Sequence, residues 1–473
     1  EGVVNHGMGL PRGRGARGRG ARAVRVRAAA AAAAARAGAG GTVVGVGAAC
    51  VDFLARVARF PRPNEKLRTE GPLETQGGGN CGNALCAAAR LGSVAPRIVA
   101  KVGADAAGSV IRVGLENEGV DTSCLCAGGP CSPSSYIMVD REEGTRTIIH
   151  TPGEEMRTEE LGLSRALEGA ALVYSDGRQP EVALALVKGA RERGVPVLVE
   201  AERLRPGLDE LLALADCVVC SQEFPCAWTG HLALGDALVE LVGRLPHCER
   251  VFATAGSHGS VMLELQRGAG GAAAAAAGDA GLERPLEGVL EELRDAARSA
   301  KAPMDLAFMT SGGLQVVPPP VASTGATPVL LGKTPAGSGR TAWRAADVRA
   351  RSAAYDEAAL NSDAGNRKKY AFNTGQKGTG VSWPGTLMAR VFSAPAATLP
   401  EGALIDTTGA GDAFIGSLLH FWGAEGWGSH DAPERALQLA ASVAAAKCCG
   451  PGARAGLPRG ADLPDGLLEG PSS

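Results

Sequence analysis

Short apolar runs alternate with helical segments along most of the chain. From Thr42 onward, several runs carry apolar side chains at consecutive positions, which is typical of parallel strands buried on both faces. The runs are 43–46, 171–174, 195–199 and 217–220, and segments with apolar residues at helical spacing are 181–193 and 208–214. This repeating βα order predicts an α/β fold with a doubly wound, mainly parallel sheet.

Two segments lack this order. Residues 1–41 hold eight arginines, an alanine run at 28–35 and no acidic residue after the first position. An Arg-rich, acid-poor leader favours an organelle transit peptide, for a plastid or a mitochondrion, although it has no serine. A nucleic-acid-binding arm and plain low-complexity disorder are the alternatives, and without a transit peptide we expect a cytoplasmic protein.

The second irregular segment is 267–388, which begins with glycines and alanines and includes three prolines at 318–320. Apart from an amphipathic helix at 286–298, we expect a mostly disordered, low-complexity insertion between two strands of a hairpin. Gly332-Lys333-Thr334 ends like a phosphate-binding loop, but Thr327 stands where that motif needs glycine.

Without these segments the chain reduces to one α/β domain of residues 42–266 and 389–465, followed by a tail at 466–473.

The amino-acid composition agrees with this domain organisation. A net charge of −2 indicates no general attraction to nucleic acids, and there is no apolar run long enough for a membrane span. Twelve cysteines, many in apolar runs, favour reduced thiols in an intracellular protein. Cys217, Cys220 and Cys226 lack a second pair at metal spacing, so we expect buried thiols there rather than zinc ligands.

The most informative stretch is Asp406-Thr-Thr-Gly-Ala-Gly-Asp412, with helical apolar spacing after it. The pattern predicts a loop of small residues and a helix that begins near Ala410. Free backbone N–H groups at such a helix start can bind an anion. Asp412, in the first turn, is placed to accept a proton from a hydroxyl group, and we expect its position to matter more than any large pKa change.

A second glycine-rich turn lies earlier in the chain. Gly77-Gly78-Gly79-Asn80 and then Asn83 open a helix of small residues that ends at Gly92. The two asparagines offer donors and acceptors that suit a ligand with several hydroxyl groups. Asp52 follows the first apolar strand, and the carboxyl end of a strand in an α/β sheet is where ligands bind.

These two stretches resemble the two signatures of the ribokinase/PfkB family of carbohydrate kinases, and the chain is most similar to the ketohexokinase-like and plant-type branches. The resemblance implies a ribokinase-like fold with a small β lid at about 53–77 and 131–151. The residues that it implies for the sugar pocket are Asp52, Gly78, Gly79, Asn80, Asn83 and Arg146. The residues that it implies for ATP are Thr254, Gly256, Gly259, Gly409 and Gly411. His258, in the same turn as the first ATP residues, is expected to face solvent.

The resemblance further implies a transfer of the γ-phosphate of ATP to a hydroxymethyl group of a small sugar. Asp412 would be the general base, and Gly409, Ala410 and Gly411 would form the anion hole. Mg²⁺ would accompany ATP, and Asp406 and Thr408 would help to hold K⁺. The family's Asn-x-x-Glu magnesium motif is absent, because Ser221 and Phe224 occupy its positions and Glu223 is one place off.

Two other functions remain open on the sequence alone. A nucleoside kinase of the same fold would need aromatic residues to stack a base, and only 4% of residues are aromatic. A catalytically inactive, kinase-like scaffold in an organelle would explain the basic leader and the missing magnesium motif. The partners expected for the active enzyme are a sugar, ATP and a second copy of the chain, because lids of this type pair in dimers.

Overall fold

The computed structural model describes residues 40–143, 145–231, 234–267, 387–394, 402–427, 433–464 and 467–468, with residues 396 and 399 and the pieces 283–284, 309–310, 314–317 and 329–331. The strands are β1 (Thr42–Val46), β2 (Cys50–Val57), β3 (Glu74–Gly78), β4 (Ala95–Val102), β5 (Asp121–Ala127), β6 (Ser134–Asp140), β7 (Thr145–Thr151), β8 (Ala170–Ser175), β9 (Val197–Ala201), β10 (Cys217–Ser221), β11 (Arg250–Thr254), β12 (Ser260–Arg267), β13 (Glu283–Arg284), β14 (Met309–Thr310), β15 (Leu314–Val317), β16 (Val329–Leu331) and β17 (Leu387–Ala394). The helices are α1 (Asn80–Leu91), α2 (Ala106–Asn117), α3 (Leu163–Ala166), α4 (Pro180–Glu192), α5 (Leu208–Leu212), α6 (Glu223–Thr229), α7 (Leu234–Arg244), α8 (Ala410–Glu425) and α9 (Pro433–Cys448).

A large sheet forms the centre of the molecule. Its strands β11-β10-β9-β8-β1-β4-β5 are neighbours in this order and all run parallel. On the other side of β11, β12 and then β17 continue the sheet in antiparallel pairs. The α/β fold with a mainly parallel sheet that the sequence predicts is therefore confirmed.

Helices cover both faces of this sheet, because its central strands are apolar on both sides. Along β1, Val43 belongs to the core on one face while Val44 and Val46 belong to the core on the other. Helices α1, α8 and α9 supply the first core, and α4, α5 and α7 supply the second. The consecutive apolar runs of the sequence have this double burial as their physical cause.

A second, four-stranded sheet in the order β3-β2-β6-β7 lies outside the large one. In it β2 pairs parallel with β6 and antiparallel with β3, and β6 and β7 form an antiparallel hairpin. Asp52 belongs to this sheet, within β2, and not to the carboxyl end of β1 as the sequence suggested. The chain leaves the large sheet after Val46 and starts the small one at Cys50, earlier than the expected lid boundary.

The short strands β13 to β16 extend the large sheet beyond β17, and β12 and β17 pair across the expected insertion. Residues 1–39 of the predicted leader (1–41), the predicted helix at 286–298 and Gly332-Lys333-Thr334 lie outside the described residues. All twelve cysteines lie within them, and no disulfide bond joins any pair. Among the described helices, none has both the length and the apolar character that a bilayer span requires.

Candidate active site

The loop before helix α8 turns sharply at Gly409. This residue has a left-handed backbone (φ 79°), and a Cβ atom there would lie 2.9 Å from the Ala453 backbone, so only glycine fits. Helix α8 begins at Ala410, as the sequence predicts, and its first turn carries Asp412. The Ala410 N–H donates to the Thr407 carbonyl at 3.2 Å, and the other N–H groups of this helix start share one small region with the carboxylate.

Asp412 is fixed by a chain of buried hydrogen bonds. Asn83 Nδ2 donates to Asp412 Oδ2 at 2.7 Å, and Arg454 Nε donates to Asn83 Oδ1 at 2.8 Å. Arg454 Nη2 also donates to the carbonyl of Gly78 at 2.7 Å. The guanidinium thus sets the orientation of the Asn83 amide, so that its NH₂ group faces the carboxylate.

Close packing of two helices brings Asp412 to Asn83. Gly416, one turn after Asp412, touches helix α1 so closely that a Cβ atom there would lie 2.5 Å from both Ala84 O and Ala87 Cβ. Ala84 follows Asn83 directly in α1. The absence of a side chain at Gly416 therefore lets Asp412 and the glycine-rich turn meet, although 329 positions separate Asn83 and Asp412 in the chain.

Asp52 lies against the same turn. Its carboxylate occupies the space that a Cβ atom of Gly78 would take, at 2.2 Å from the ideal position, and Cys50 Sγ donates to it at 3.3 Å. Only 6% of Asp52 is exposed. Burial raises its pKa, and hydrogen bonds from Cys50 and Ser135 oppose that rise. Asp52, Gly78, Asn83 and Asp412 thus belong to one connected site.

The pKa of Asp412 is raised from 3.8 to about 7. Burial is the main cause, the hydrogen bond from Asn83 opposes it, and the negative charges of Glu202 and Asp176 add to it. The expectation that the position of Asp412 matters more than any large pKa change stays a prediction, and the sequence did not show that this carboxyl group is buried.

Three further acidic residues surround the site, and sequence reasoning missed them. Asp176 accepts hydrogen bonds from the Ala48 and Cys81 backbone, and Glu200 accepts from Asn80 Nδ2 (3.0 Å) and from a buried tyrosine hydroxyl. Burial and then the charge of Asp412 raise the pKa of Glu200. Asp176 follows β8, Glu200 lies in β9 and Glu202 follows it, so acidic residues near the carboxyl ends of these two parallel strands were the available signal.

Asp406 joins the catalytic loop to the turn after helix α9. Its Oδ1 accepts from the Thr408 N–H (2.8 Å) and Oγ1 (2.6 Å), and its Oδ2 accepts from the Gly452 N–H at 2.8 Å. Its carbonyl accepts from Lys447 Nζ at 2.6 Å. The oxygen atoms expected to bind K⁺ already accept hydrogen bonds from protein N–H and O–H groups, so these atoms do not fit that ion.

Arg146 connects the small sheet with this loop. It lies near the start of β7, and its guanidinium donates to Thr408 Oγ1 at 2.6 Å and lies 3.7 Å from Asp406 Oδ1. The structure thus places Arg146 beside the anion-hole loop. Both of its polar contacts here are with protein atoms, and its role toward a sugar stays a prediction.

The residues expected to bind ATP lie at the carboxyl end of β11. Thr254 ends that strand, and its hydroxyl donates to the Cys220 carbonyl at 3.3 Å. Gly256 and Gly259 both have positive φ values (55° and 86°) in the turn to β12. His258, between them, is exposed. The turn therefore lies at the same edge of the sheet as the acidic residues.

Phe224, at one position of the missing magnesium motif, and its neighbour Glu223 both lie in helix α6. Phe224 is buried in the core (1% exposed), and its hydrocarbon side chain offers no ligand atom to a metal. Glu223, in the first turn of α6, is partly exposed and accepts from Gln222 Nε2 at 3.0 Å. Its carboxylate is the kind of hard oxygen ligand that Mg²⁺ prefers, and this residue fits the ion although it is one position out of register.

Comparisons with known proteins agree with this geometry. The chain is 28% identical over 179 residues to an ATP-dependent ribose-1-phosphate kinase of Halopiger xanaduensis, and 25% identical over 181 residues to a ribokinase of Staphylococcus aureus. Each match covers 37% of this chain and 59% of the relative, so the chain spans less than two thirds of the curated relatives' length.

The fold is that of solved ribokinases. The Arabidopsis thaliana ribokinase matches with a TM-score of 0.53 at 17% identity, covering 91% of this chain and 99% of that one. The Giardia lamblia ribokinase matches with a TM-score of 0.55 at 15% identity, covering 89% and 97%. The profile of the pfkB family carbohydrate kinases matches residues 41–279 and 349–459, more than half of the chain. The protein therefore belongs to the pfkB family of carbohydrate kinases.

Proposed function

We propose that the protein transfers the γ-phosphate of ATP to a hydroxymethyl group of a small sugar. The observation that carries this proposal is the hydrogen-bonded link from Asp412, at an open helix start, through Asn83 to the Gly78 turn beside Asp52. The kinase activities of the two curated relatives, and the Arabidopsis ribokinase solved with ribose and ATP, support a sugar acceptor and ATP as donor.

Asp412 accepts the proton of the attacking hydroxyl group in this proposal. General bases work best when their pKa lies near the working pH, and the pKa of about 7 satisfies that condition. Asn83 presents one N–H to Oδ2, which keeps the carboxylate in place and leaves Oδ1 for the substrate. The base therefore needs no rearrangement before it accepts the proton.

The amides of Gly409 and Gly411 bind the phosphoryl group as its charge grows, together with that of Ala410, whose N–H is shared with the Thr407 carbonyl at 3.2 Å. They belong to the first turn of α8 and its cap, where N–H groups have no partner within the helix. Well-placed donors of this kind lower a barrier by about 3–4 kcal/mol each in other enzymes. The partial positive charge of the helix start adds to this attraction.

The sugar lies beside Asp52 and the glycine-rich turn, which are packed against each other. Asp52 accepts hydrogen bonds from sugar hydroxyl groups, and the missing side chains of Gly78 and Gly79 let Asp52 and the Ala48 backbone pack directly on this turn. Asn80 and Asn83 each have a second amide N–H beyond the one bonded to Glu200 or Asp412. Arg146, from the small sheet, covers the loop that holds the transferred phosphate.

ATP binds at the edge formed by Thr254, Gly256 and Gly259, with its phosphates toward α8. Glu223 is the residue that would hold Mg²⁺ or its water molecules, and the ion would supply positive charge to the ATP phosphates. Closure of the small sheet over the sugar excludes water and so limits wasteful ATP hydrolysis.

All of β7 is exposed, including Ile148 and Ile149, and we propose that two copies of the chain pair there.

An ADP-release screen over ketohexoses, pentoses, sugar acids, sugar phosphates and nucleosides tests the proposal. We expect turnover with one class of sugar and none with nucleosides, because the pocket offers carboxylates and amides for hydroxyl groups. Turnover with nucleosides alone would make the protein a nucleoside kinase. Absence of any acceptor-dependent ADP release, with ATP still bound, would favour the inactive scaffold.

Gly411→Ala is expected to reduce kcat/KM strongly without harming the fold. Apart from its chain neighbours and the backbone of its own helix, a Cβ atom at Gly411 would meet no atom of the described residues within 4 Å, so we expect it to disturb a bound ligand rather than the packing. Alanine also favours a helix over glycine by about 1 kcal/mol. We expect at least a tenfold loss, or roughly 1.4 kcal/mol, and an unfolding midpoint that stays or rises. Steady-state kinetics and thermal unfolding measure both.

Gly114→Ala is the matched control, since Gly114 is helical, equally open and lies in α2 away from the site. We expect the control to raise stability by a similar amount and to leave kcat/KM unchanged. If Gly411→Ala kept full activity, phosphate would not approach this helix start, and the anion-hole assignment would fail.

A further inference from the structure

Lys447 is a fully buried lysine in the last turn of helix α9. Its exposed fraction is 0%, and its Nζ donates to the carbonyl of Asp406 at 2.6 Å and to that of Gly450 at 3.3 Å. The first carbonyl belongs to the catalytic loop, and the second belongs to the turn after α9. The ammonium group therefore connects the loop before helix α8 with the turn after helix α9.

Other bonds join the same two segments. The N–H groups of Ile405 and Asp406 donate to the Cys448 carbonyl at 2.9 and 3.2 Å, and Gly452 N–H donates to Asp406 Oδ2. Gly409 packs on the Ala453 backbone. The position of the anion-hole amides thus depends on how firmly this junction is held, and Lys447 supplies its central positive charge.

A lysine near a helix C-terminus often binds the last carbonyls from the surface, without any further role. Lys447 differs in two respects. It is completely enclosed, which costs desolvation free energy that a surface lysine avoids, and it reaches across to a carbonyl of another segment. Burial lowers its pKa, and the negative charge of Asp406 opposes that change.

We propose that the Lys447 ammonium replaces the monovalent cation that the family resemblance implies at Asp406 and Thr408, so that the enzyme works without added K⁺. An ammonium group and K⁺ have similar size and charge, and both bind backbone carbonyls. Lys447 is in this view a positioning residue that holds the catalytic loop through Asp406. The proposal rests on the proposed kinase activity, but its stability consequences can be measured without turnover.

The first test uses the unmodified protein. Tetramethylammonium chloride is exchanged for KCl at constant ionic strength, while kcat/KM and the thermal unfolding midpoint are followed. We expect neither quantity to change. A rise of kcat/KM by about fivefold or more on adding K⁺, the lower end of typical coupling between two sites, would overturn the proposal. So would a K⁺-dependent rise of the unfolding midpoint.

The second test compares Lys447→Ala with Lys447→Met. Alanine leaves a space beside the carbonyls of Asp406 and Gly450, and methionine fills it with an uncharged chain of similar length. We expect both variants to lose activity and stability in tetramethylammonium chloride. KCl or NH₄Cl should restore at least about fivefold of kcat/KM in the alanine variant and nothing in the methionine variant.

The outcomes separate this proposal from the kinase proposal. If no sugar is turned over by any variant, K⁺-dependent stabilisation of Lys447→Ala alone still supports the cation role, and its absence contradicts it. If sugar is turned over but both variants keep full activity, the kinase proposal stands and the role of Lys447 fails. If neither variant folds, the effect of K⁺ on the unmodified protein still tests the proposed role of Lys447.

Discussion

Asp412→Asn is expected to lower kcat for sugar-dependent ADP release by about 10²–10⁴-fold, the usual contribution of a general base. Asparagine keeps the shape of the side chain and can still accept the hydrogen bond from Asn83 through its amide oxygen. It cannot take a proton from the sugar hydroxyl. ATP affinity, measured by calorimetry, should stay nearly unchanged, because the anion-hole amides are untouched.

The same variant is expected to be more stable than the original protein at alkaline pH. The pKa of Asp412 is raised from 3.8 in the unfolded chain to about 7 in the fold, so the folded state binds this proton more tightly. Stability therefore falls as pH rises from about 4 to about 7, and the whole cost is present above that range. At about 1.4 kcal/mol per pKa unit, Asp412→Asn should gain on the order of 2–4 kcal/mol at pH 8 and little at pH 4.

The control for Asp412→Asn is Glu210→Gln, which removes an exposed acid from the first turn of helix α5. It should change neither activity nor the pH dependence of unfolding. Substantial turnover by Asp412→Asn would remove Asp412 from the base role. An unchanged stability at pH 8 would show that its carboxyl group is not held in the desolvated state described above.

Arg454→Met is expected to damage both the fold and the pH dependence of catalysis. Arg454 is 5% exposed, and its loss would leave the Asn83 Oδ1 and Gly78 carbonyl without donors. A buried acceptor without a partner costs about 1–3 kcal/mol, so we expect a loss of roughly 2–5 kcal/mol, measured by denaturant unfolding. The positive charge of Arg454 also lowers the pKa of Asp412.

The positive charge of Arg454 also affects the acidic limb of the pH profile, that is, the fall of kcat/KM at low pH. In the original protein we expect activity to fall as pH drops below about 7, as Asp412 takes up its proton. In Arg454→Met we expect the pKa of Asp412 to rise, so that the acidic limb moves to higher pH. The control is Arg112→Met, since Arg112 also bonds backbone carbonyls, of Thr122 and Leu125, but lies in α2 away from the site. It should lower stability and leave the limb in place.

Much of the site was predictable from local patterns. Gly409 and the start of helix α8 could be recognised because small residues followed by helical apolar spacing need no tertiary information. The parallel sheet could be recognised because burial on both faces leaves consecutive apolar residues. Asp52 was placed in the wrong sheet, because the sequence does not show that the chain leaves the large sheet after Val46.

The remaining features depend on contacts between distant parts of the chain. Asn83 was predicted as a sugar ligand, but its amide is bonded on one side to Arg454 and on the other to Asp412. Arg454 stands in a Gly-rich turn that has no local signature. Lys447 has the pattern of an ordinary helix-end lysine, and only the bond to the Asp406 carbonyl distinguishes it.

The distance along the chain between Asn83 and its two partners has a consequence for biosynthesis. Asp412 lies 329 positions and Arg454 lies 371 positions after Asn83. Because domains form as the polypeptide emerges from the ribosome, the hydrogen bonds of Asn83 must wait until residue 454 has been translated. A nascent chain stalled before that residue therefore lacks part of the proposed site, and under the proposed function it would not consume ATP.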